Sequence, residues 1–147
     1  MIVKLAETKD IRDLVRLDER CGDGQPYYEA WLWQMHIQNR DVLIGIEENK
    51  IIGAIRVEDN GGSVLITDVM VDPEYQGRGY GKKLFESALA IADSQNKPQW
   101  LHVSPDNNRA IRLYESFGFS ASGQPNLDNF FDIEMVRQPY AHIFPKP

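Results

Sequence analysis

A mixed α/β fold is predicted by three features of the chain. Strand-like and helix-like stretches follow one another in the order β-α-α-β-β-β-α-β-α-β. Turn signals at Glu48-Asn49-Lys50 and Asp59-Asn60-Gly61-Gly62 fold the middle strands into an antiparallel meander. Helical crossovers then join the later strands.

The elements follow from local residue chemistry. Ile2 to Ala6 reads as a short first strand. Thr8 is placed to cap a helix on which Ile11, Leu14 and Val15 share a face, with Asp10 near its positive end. Cys21 to Pro26 is a glycine-containing break, and Tyr27 to Gln38 reads as an aromatic-rich helix. Its spacing puts Tyr27, Trp31 and part of the next turn on one face, a pattern more often of a core-facing stripe than of a pocket. Val42 to Glu47, Ile51 to Glu58 and Val64 to Val71 are the meander strands. Leu84, Phe85, Ala88, Leu89 and Ala92 recur at helical spacing. Pro98 ends that connection, and Trp100 to Val103 is short enough for a buried strand. A helix from about Asn107 to Phe117 stops at Gly118, a favourable residue just past a helix end. Phe130 to Arg137 reads as a late strand in which Phe131, Ile133 and Met135 alternate with polar partners, followed by an irregular proline-rich tail.

Composition narrows the functional classes. The 147 residues fit one domain, 1–147, able to bury a core of its own. The formal net charge of −6 argues against a nucleic-acid binder, which would carry a basic face. A single cysteine, Cys21, forbids an internal disulfide, and with 3 scattered histidines no metal site is expected. Cys21 and His36 read as structural or surface residues. No apolar run approaches the ~20 residues of a membrane span, and the first residues lack the apolar core of a signal peptide. A cytoplasmic protein without membrane partners is therefore expected.

The segment Val71-Asp72-Pro73-Glu74-Tyr75-Gln76-Gly77-Arg78-Gly79-Tyr80-Gly81-Lys82-Lys83 runs straight into a predicted helix. It is neither a P-loop nor a dinucleotide fingerprint, since Lys82 stands where each would need a further glycine. The physics of those motifs still applies. Glycines before a helix leave backbone N–H groups bare, a helix N-terminus favours an anion, and Arg78, Lys82 and Lys83 add positive charge. A flexible loop is the alternative.

A second motif decides between them. Asn107, Ala110, Leu113, Tyr114 and Gly118-Phe119 match N-x-x-A-x-x-L-Y-x-x-x-G-F, and Gln76 to Gly81 matches Q/R-x-x-G-x-G/A after Val71-Asp72-Pro73. In this pair of motifs, one helix and one strand apart, the chain resembles the GNAT superfamily of acetyl-CoA-dependent N-acetyltransferases. The close match covers about Val64 to Phe119, and its second motif is most similar to the ribosomal-protein N-terminal acetyltransferases. The resemblance implies the GNAT fold: a central, mostly antiparallel sheet with splayed fourth and fifth strands, flanked by helices. It also implies the possibility of a homodimer.

What the resemblance implies for chemistry is direct aminolysis of acetyl-CoA, used as co-substrate, by a small-molecule or peptide amine in a ternary complex. Gln76, Gly77, Arg78, Gly79, Tyr80, Gly81 and Lys82 would surround the pyrophosphate. Val69, Met70 and Val71 would meet the pantetheine, with a backbone N–H at Val69 or Met70 as oxyanion donor. A lysine-like amine is neutral at pH 7 only about one part in a few thousand, a cost of roughly 4–5 kcal/mol, whereas an α-amino group costs nearer 1. A base is therefore needed. At the family's glutamate position this chain has His102, within Trp100-Leu101-His102-Val103. An imidazole suits the task, with a structural histidine as the alternative. Asp68 is the rival base, and a water held by Asn107 could replace either. Tyr114 stands at the position that donates to the departing thiolate. Core packing is its alternative role, since Ala110, Leu113, Tyr114 and Phe117 share one helix face. Because the acidic base is missing, a CoA-binding regulatory module without catalysis is the alternative function.

Overall fold

The computed structural model describes residues 1–22, 24, 27–123 and 132–140. It divides into two compact units, Met1–Glu58 with Asp68–Ala88, and Asp59–Thr67 with Leu89–Pro147. The mixed α/β class holds. Seven strands are formed among the described residues, β1 (Ile2–Leu5), β2 (Val42–Glu47), β3 (Lys50–Asp59), β4 (Val64–Val71), β5 (Gln99–Val103), β6 (Ser120–Ala121) and β7 (Ile133–Arg137), in the order β1-β2-β3-β4-β5-β7-β6, and β4 contributes to both units.

In the first unit, β1 (Ile2–Leu5) pairs antiparallel with β2 (Val42–Glu47), placing Ile2 opposite Ile46 and Leu5 opposite Leu43. β2 returns into β3 (Lys50–Asp59) with Glu47 opposite Lys50. The turn is thus the two residues Glu48 and Asn49, both at positive φ (52° and 61°), which matches the twist of a hairpin. β4 is Val64–Val71, as its β-branched pattern predicts. α1 (Ile11–Cys21) and α2 (Ala30–Gln38) bury Leu14, Leu17, Trp33 and Ile37 in one cluster with Val42, Ile44, Ala54 and Met70. The first turns of α3 (Tyr80–Ser94) bury Leu84, Phe85 and Ala88. Gly53 is required here, because a Cβ would meet Leu84 Cδ1 at 2.8 Å and the Met70 carbonyl at 3.0 Å.

Three expectations are corrected. The helix start at Thr8 is one 3₁₀ turn, Thr8–Asp10, and Asp10 does the capping by accepting the Glu7 N–H at 2.8 Å. α2 begins at Ala30 rather than Tyr27. The buried Asp18 carboxylate draws the N–H groups of Tyr27 and Tyr28 to 2.8 and 2.9 Å, and the Trp33 indole N–H to 3.1 Å, which holds those tyrosines out of the helix. In consequence Tyr27 and Trp31 are 71% and 62% exposed, and Trp33 is the aromatic that α2 buries.

In the second unit, the start of β4 pairs parallel with β5 (Gln99–Val103), Val64 opposite Gln99 and Leu65 opposite Trp100. β5 pairs antiparallel with β7 (Ile133–Arg137), and β7 with the two-residue β6 (Ser120–Ala121). α4 (Asn108–Ser116) connects β5 to β6, and Gly118, at φ 96°, terminates it. Phe130, Phe131 and the tail from residue 141 lie outside the described residues.

Candidate functional site

The first unit carries the glycine segment. Asp72 fixes where it starts. Its buried carboxylate accepts from Arg20 Nε and Nη2, each at 2.8 Å, and from the Glu74 N–H at 2.9 Å. The Arg20 guanidinium holds that carboxyl below the usual carboxylate range. The Asp72 N–H donates to the Ile52 carbonyl at 2.8 Å, so the end of β4 is tied to β3. Gly77 and Gly79 adopt φ of 80° and 84°, with open space where a Cβ would stand. Conformation, not crowding, demands glycine at both. At Gly81 a Cβ would only touch Val71 Cγ2 at 3.6 Å, an ordinary contact.

The consequence is a row of bare donors. Among the described residues, no backbone N–H from Gln76 through Lys82 donates to a protein acceptor; the first to do so is Lys83, to the Gly79 carbonyl at 3.2 Å. These N–H groups precede and open a 15-residue helix, whose dipole adds positive potential at that end. Arg78 lies 5.2 Å from the Tyr75 ring centroid and donates to the Glu74 carbonyl at 3.2 Å, and Lys83 lies 5.7 Å from the Tyr80 ring. Such a row of bare N–H groups beside cationic side chains fits phosphate oxygens, and a side chain that displaced Gly77 or Gly79 from positive φ would disturb it.

Upstream, Val69 is 41% exposed while Met70 is buried. The Val71 carbonyl accepts from Gln76 Nε2 at 3.0 Å and Cys21 Sγ at 3.4 Å, so both Cys21 and Gln76 brace the end of β4. Burial pushes the Cys21 thiol up. Asp68 has φ of 56°, and its Oδ2 accepts from the Tyr28 hydroxyl at 2.6 Å and Arg56 Nε at 2.7 Å. Arg56 Nη1 meets His36 Nδ1 at 3.1 Å. Burial, with the Arg56 charge beside it, lowers the His36 pKa, consistent with a neutral, structural imidazole.

The second unit carries His102, Asn107 and Tyr114. β5 and β7 place His102 directly opposite Glu134, with His102 Nε2 3.9 Å from Glu134 Oε2 and both side chains about a quarter exposed. The Trp100 ring stands edge-on to His102 at 5.3 Å. Asn107 caps α4, its Oδ1 accepting the Ala110 N–H at 3.1 Å, which leaves the amide NH₂ as its donor. Tyr114 is half-buried on the last turn of α4, with its ring 6.1 Å from Phe119. Burial raises its phenol pKa and keeps it protonated through the neutral range.

Sequence reasoning missed Glu134, Tyr28 and Arg56 as partners of its candidate residues. Each pairing depends on strand register or loop path, which no local pattern encodes. No group of three or more potential metal ligands occurs among the described residues. No described helix is long and apolar enough to cross a membrane.

Comparison with known proteins agrees with both motifs. A mycothiol acetyltransferase of Actinosynnema mirum is 31% identical over 104 residues, covering 70% of this chain and 33% of that protein. The chain thus spans about a third of that relative's length. Among solved structures, the ribosomal-protein-S18-alanine N-acetyltransferase from Escherichia coli superposes with a TM-score of 0.78 at 23% identity, covering 94% of this chain and 93% of that one. The PaiA N-acetyltransferase from Thermoplasma acidophilum, solved in complex with coenzyme A, gives 0.69 at 16% identity, covering 93% and 98%. The model of the acetyltransferase (GNAT) family matches residues 8–119, a span that takes in the glycine segment, His102, Asn107 and Tyr114. The chain belongs to the acetyltransferase (GNAT) family.

Proposed function

We propose that this chain is a single-domain N-acetyltransferase that moves an acetyl group from acetyl-CoA to a primary amine by direct attack in a ternary complex. The observation that carries the reading is the unbroken row of bare N–H groups from Gln76 to Lys82, opening α3 beside Arg78, Lys82 and Lys83. That row fits a pyrophosphate, and the family match supports the same ligand. Val69 to Val71 align the pantetheine, and the N–H of Val69 or Met70 faces the negative charge that develops on the thioester oxygen. His102, with Glu134 opposite it, takes a proton from the acceptor amine. The Asn107 NH₂ orients a water beside the acceptor, and the Tyr114 hydroxyl donates to the thiolate as it departs. A reduced cytoplasmic setting suits the single thiol of Cys21.

The acceptor is tested by thiol release against panels of small amines and peptides. Turnover on a member of either panel supports the reading. A CoA-induced rise in Tm without turnover on any amine would instead identify a CoA-binding regulatory module, and no rise at all would remove the cofactor assignment.

Two expected outcomes probe the site's halves. Gly79→Val forces a β-branched residue into the left-handed region, so KM for acetyl-CoA should rise about 10- to 100-fold, while Gly81→Ala should stay within about threefold. Equal effects at the two glycines would mean that backbone shape is not what binds phosphate. His102→Gln should lower kcat about 10- to 100-fold while leaving KM for acetyl-CoA within about threefold. An unchanged kcat would take His102 out of proton transfer.

A further inference from the structure

Asp68 is the one non-glycine residue, among the described residues, that sits at positive φ inside a strand; the others at positive φ lie in turns. A left-handed residue with a Cβ is costly, and aspartate and asparagine bear that cost best. The kink falls between Thr67 and Val69, immediately before the exposed Val69 and the buried Met70.

Two elements grip its carboxylate. The Tyr28 hydroxyl, from the segment before α2, and Arg56 Nε, from β3, both donate to the same oxygen, at 2.6 and 2.7 Å. Each gripping residue is itself held. The Tyr28 N–H is bound by the buried Asp18, and the Tyr28 ring stands edge-on to Trp33 at 5.3 Å and to His36 at 5.5 Å. Arg56 is buried and reaches His36 Nδ1 at 3.1 Å and Asp41 Oδ2 at 3.4 Å. Burial and the bond to Asp68 push the Tyr28 phenol up to about 12, so it remains a donor at any working pH. A carboxylate held by two fixed donors on one oxygen is arranged to be immobile.

We propose that Asp68 is a positioning residue whose Tyr28–Asp68–Arg56 clamp holds the left-handed kink of β4 and so aims the Val69 and Met70 N–H groups. This rests on the reading of those N–H groups as the donors to the thioester oxygen. It assigns Asp68 a role other than proton acceptor, and it gives Tyr28 and Arg56 an effect on rate although neither touches the reacting atoms.

Three variants test the clamp. Asp68→Asn keeps both the tolerance for positive φ and an acceptor oxygen, Tyr28→Phe removes one donor, and Asp68→Ala removes grip and tolerance together. Expected losses in kcat are within about fivefold, about 10-fold and about 100-fold respectively, with KM for acetyl-CoA within about threefold throughout. A second measurement needs no turnover: amide hydrogen exchange in the free protein at the β4 amides that pair with β3 should quicken in Asp68→Ala and Tyr28→Phe and stay near wild type in Asp68→Asn. Asp68→Asn as slow as Asp68→Ala, with normal amide protection, would make Asp68 the base and overturn the clamp. Wild-type kcat and wild-type exchange in Asp68→Ala would overturn it as well. If the unmodified protein shows no acetyl transfer, that reading falls by itself, and the exchange measurement still decides whether the clamp exists.

Discussion

Tyr114→Phe is expected to lower kcat about 10- to 1000-fold while leaving KM for acetyl-CoA within about threefold. The departing thiolate has a conjugate acid pKa near 8.5 and a free phenol one near 10, so full proton transfer from tyrosine is uphill by roughly 2 kcal/mol. Burial raises the Tyr114 phenol further, which weakens it as an acid but keeps its proton in place at neutral pH. The hydroxyl therefore acts mainly as a hydrogen-bond donor to developing negative charge, in surroundings where low polarity strengthens such a bond. Because Tyr114 stays protonated below its raised pKa, the deficit of the phenylalanine variant should be constant across the neutral range. Phenylalanine keeps the ring contact with Phe119 at the end of α4, so folding should be little changed. Stopped-flow thiol release with circular dichroism on the same samples separates the possibilities. A wild-type kcat with an unaltered Tm would make Tyr114 a packing residue on the face that Ala110, Leu113 and Phe117 share.

Much of the fold is legible because each signal is local. Val42–Glu47 and Val64–Val71 have the bounds that their apolar runs and flanking turn signals predict, and Gly118 closes α4 as a residue free to adopt positive φ. The glycine segment is legible for the same reason: the left-handed Gly77 and Gly79 are separated only by Arg78, so their joint geometry is a local matter. What failed depends on distant residues. Asp18 lies nine and ten positions before the two tyrosines whose N–H groups it binds, and no periodicity in 27–38 reveals that it delays the helix. With the start shifted, the stripe of Tyr27 and Trp31 faces outward and Trp33 turns inward. β6 has two residues and holds its place through Val136 and Met135, too short a stretch for alternation to register. Glu134 became a neighbour of His102 only through a strand register that a single-residue slip would undo.

Arg137→Met is expected to destabilise the protein by about 3–5 kcal/mol, the range for removing one partner of a buried ion pair. Arg137 is fully buried, and its guanidinium reaches Asp93 Oδ1 at 2.8 Å and Oδ2 at 3.2 Å, Gln99 Oε1 at 2.5 Å and the Phe117 carbonyl at 2.7 Å. One side chain on β7 thus holds the last turn of α3, the first residue of β5 and the end of α4. Methionine fills a comparable volume but leaves the Asp93 carboxylate, only 5% exposed, without its guanidinium. Most of the loss should come from that stranded charge rather than from the missing bonds. Replacing both partners, Arg137→Met with Asp93→Leu, should therefore recover a large part of the stability. Recovery should stay incomplete, because the Tyr140 N–H, 2.9 Å from Asp93 Oδ1, and the Phe117 carbonyl each lose a partner. Denaturant unfolding of the two single variants and the double variant measures this directly. If the double variant is as unstable as the sum of the singles, buried charge is not the cause and the network acts through its hydrogen bonds alone. The link to chemistry runs through Phe117, three residues after Tyr114: with the end of α4 released, kcat should fall even under conditions where the Arg137→Met protein remains folded.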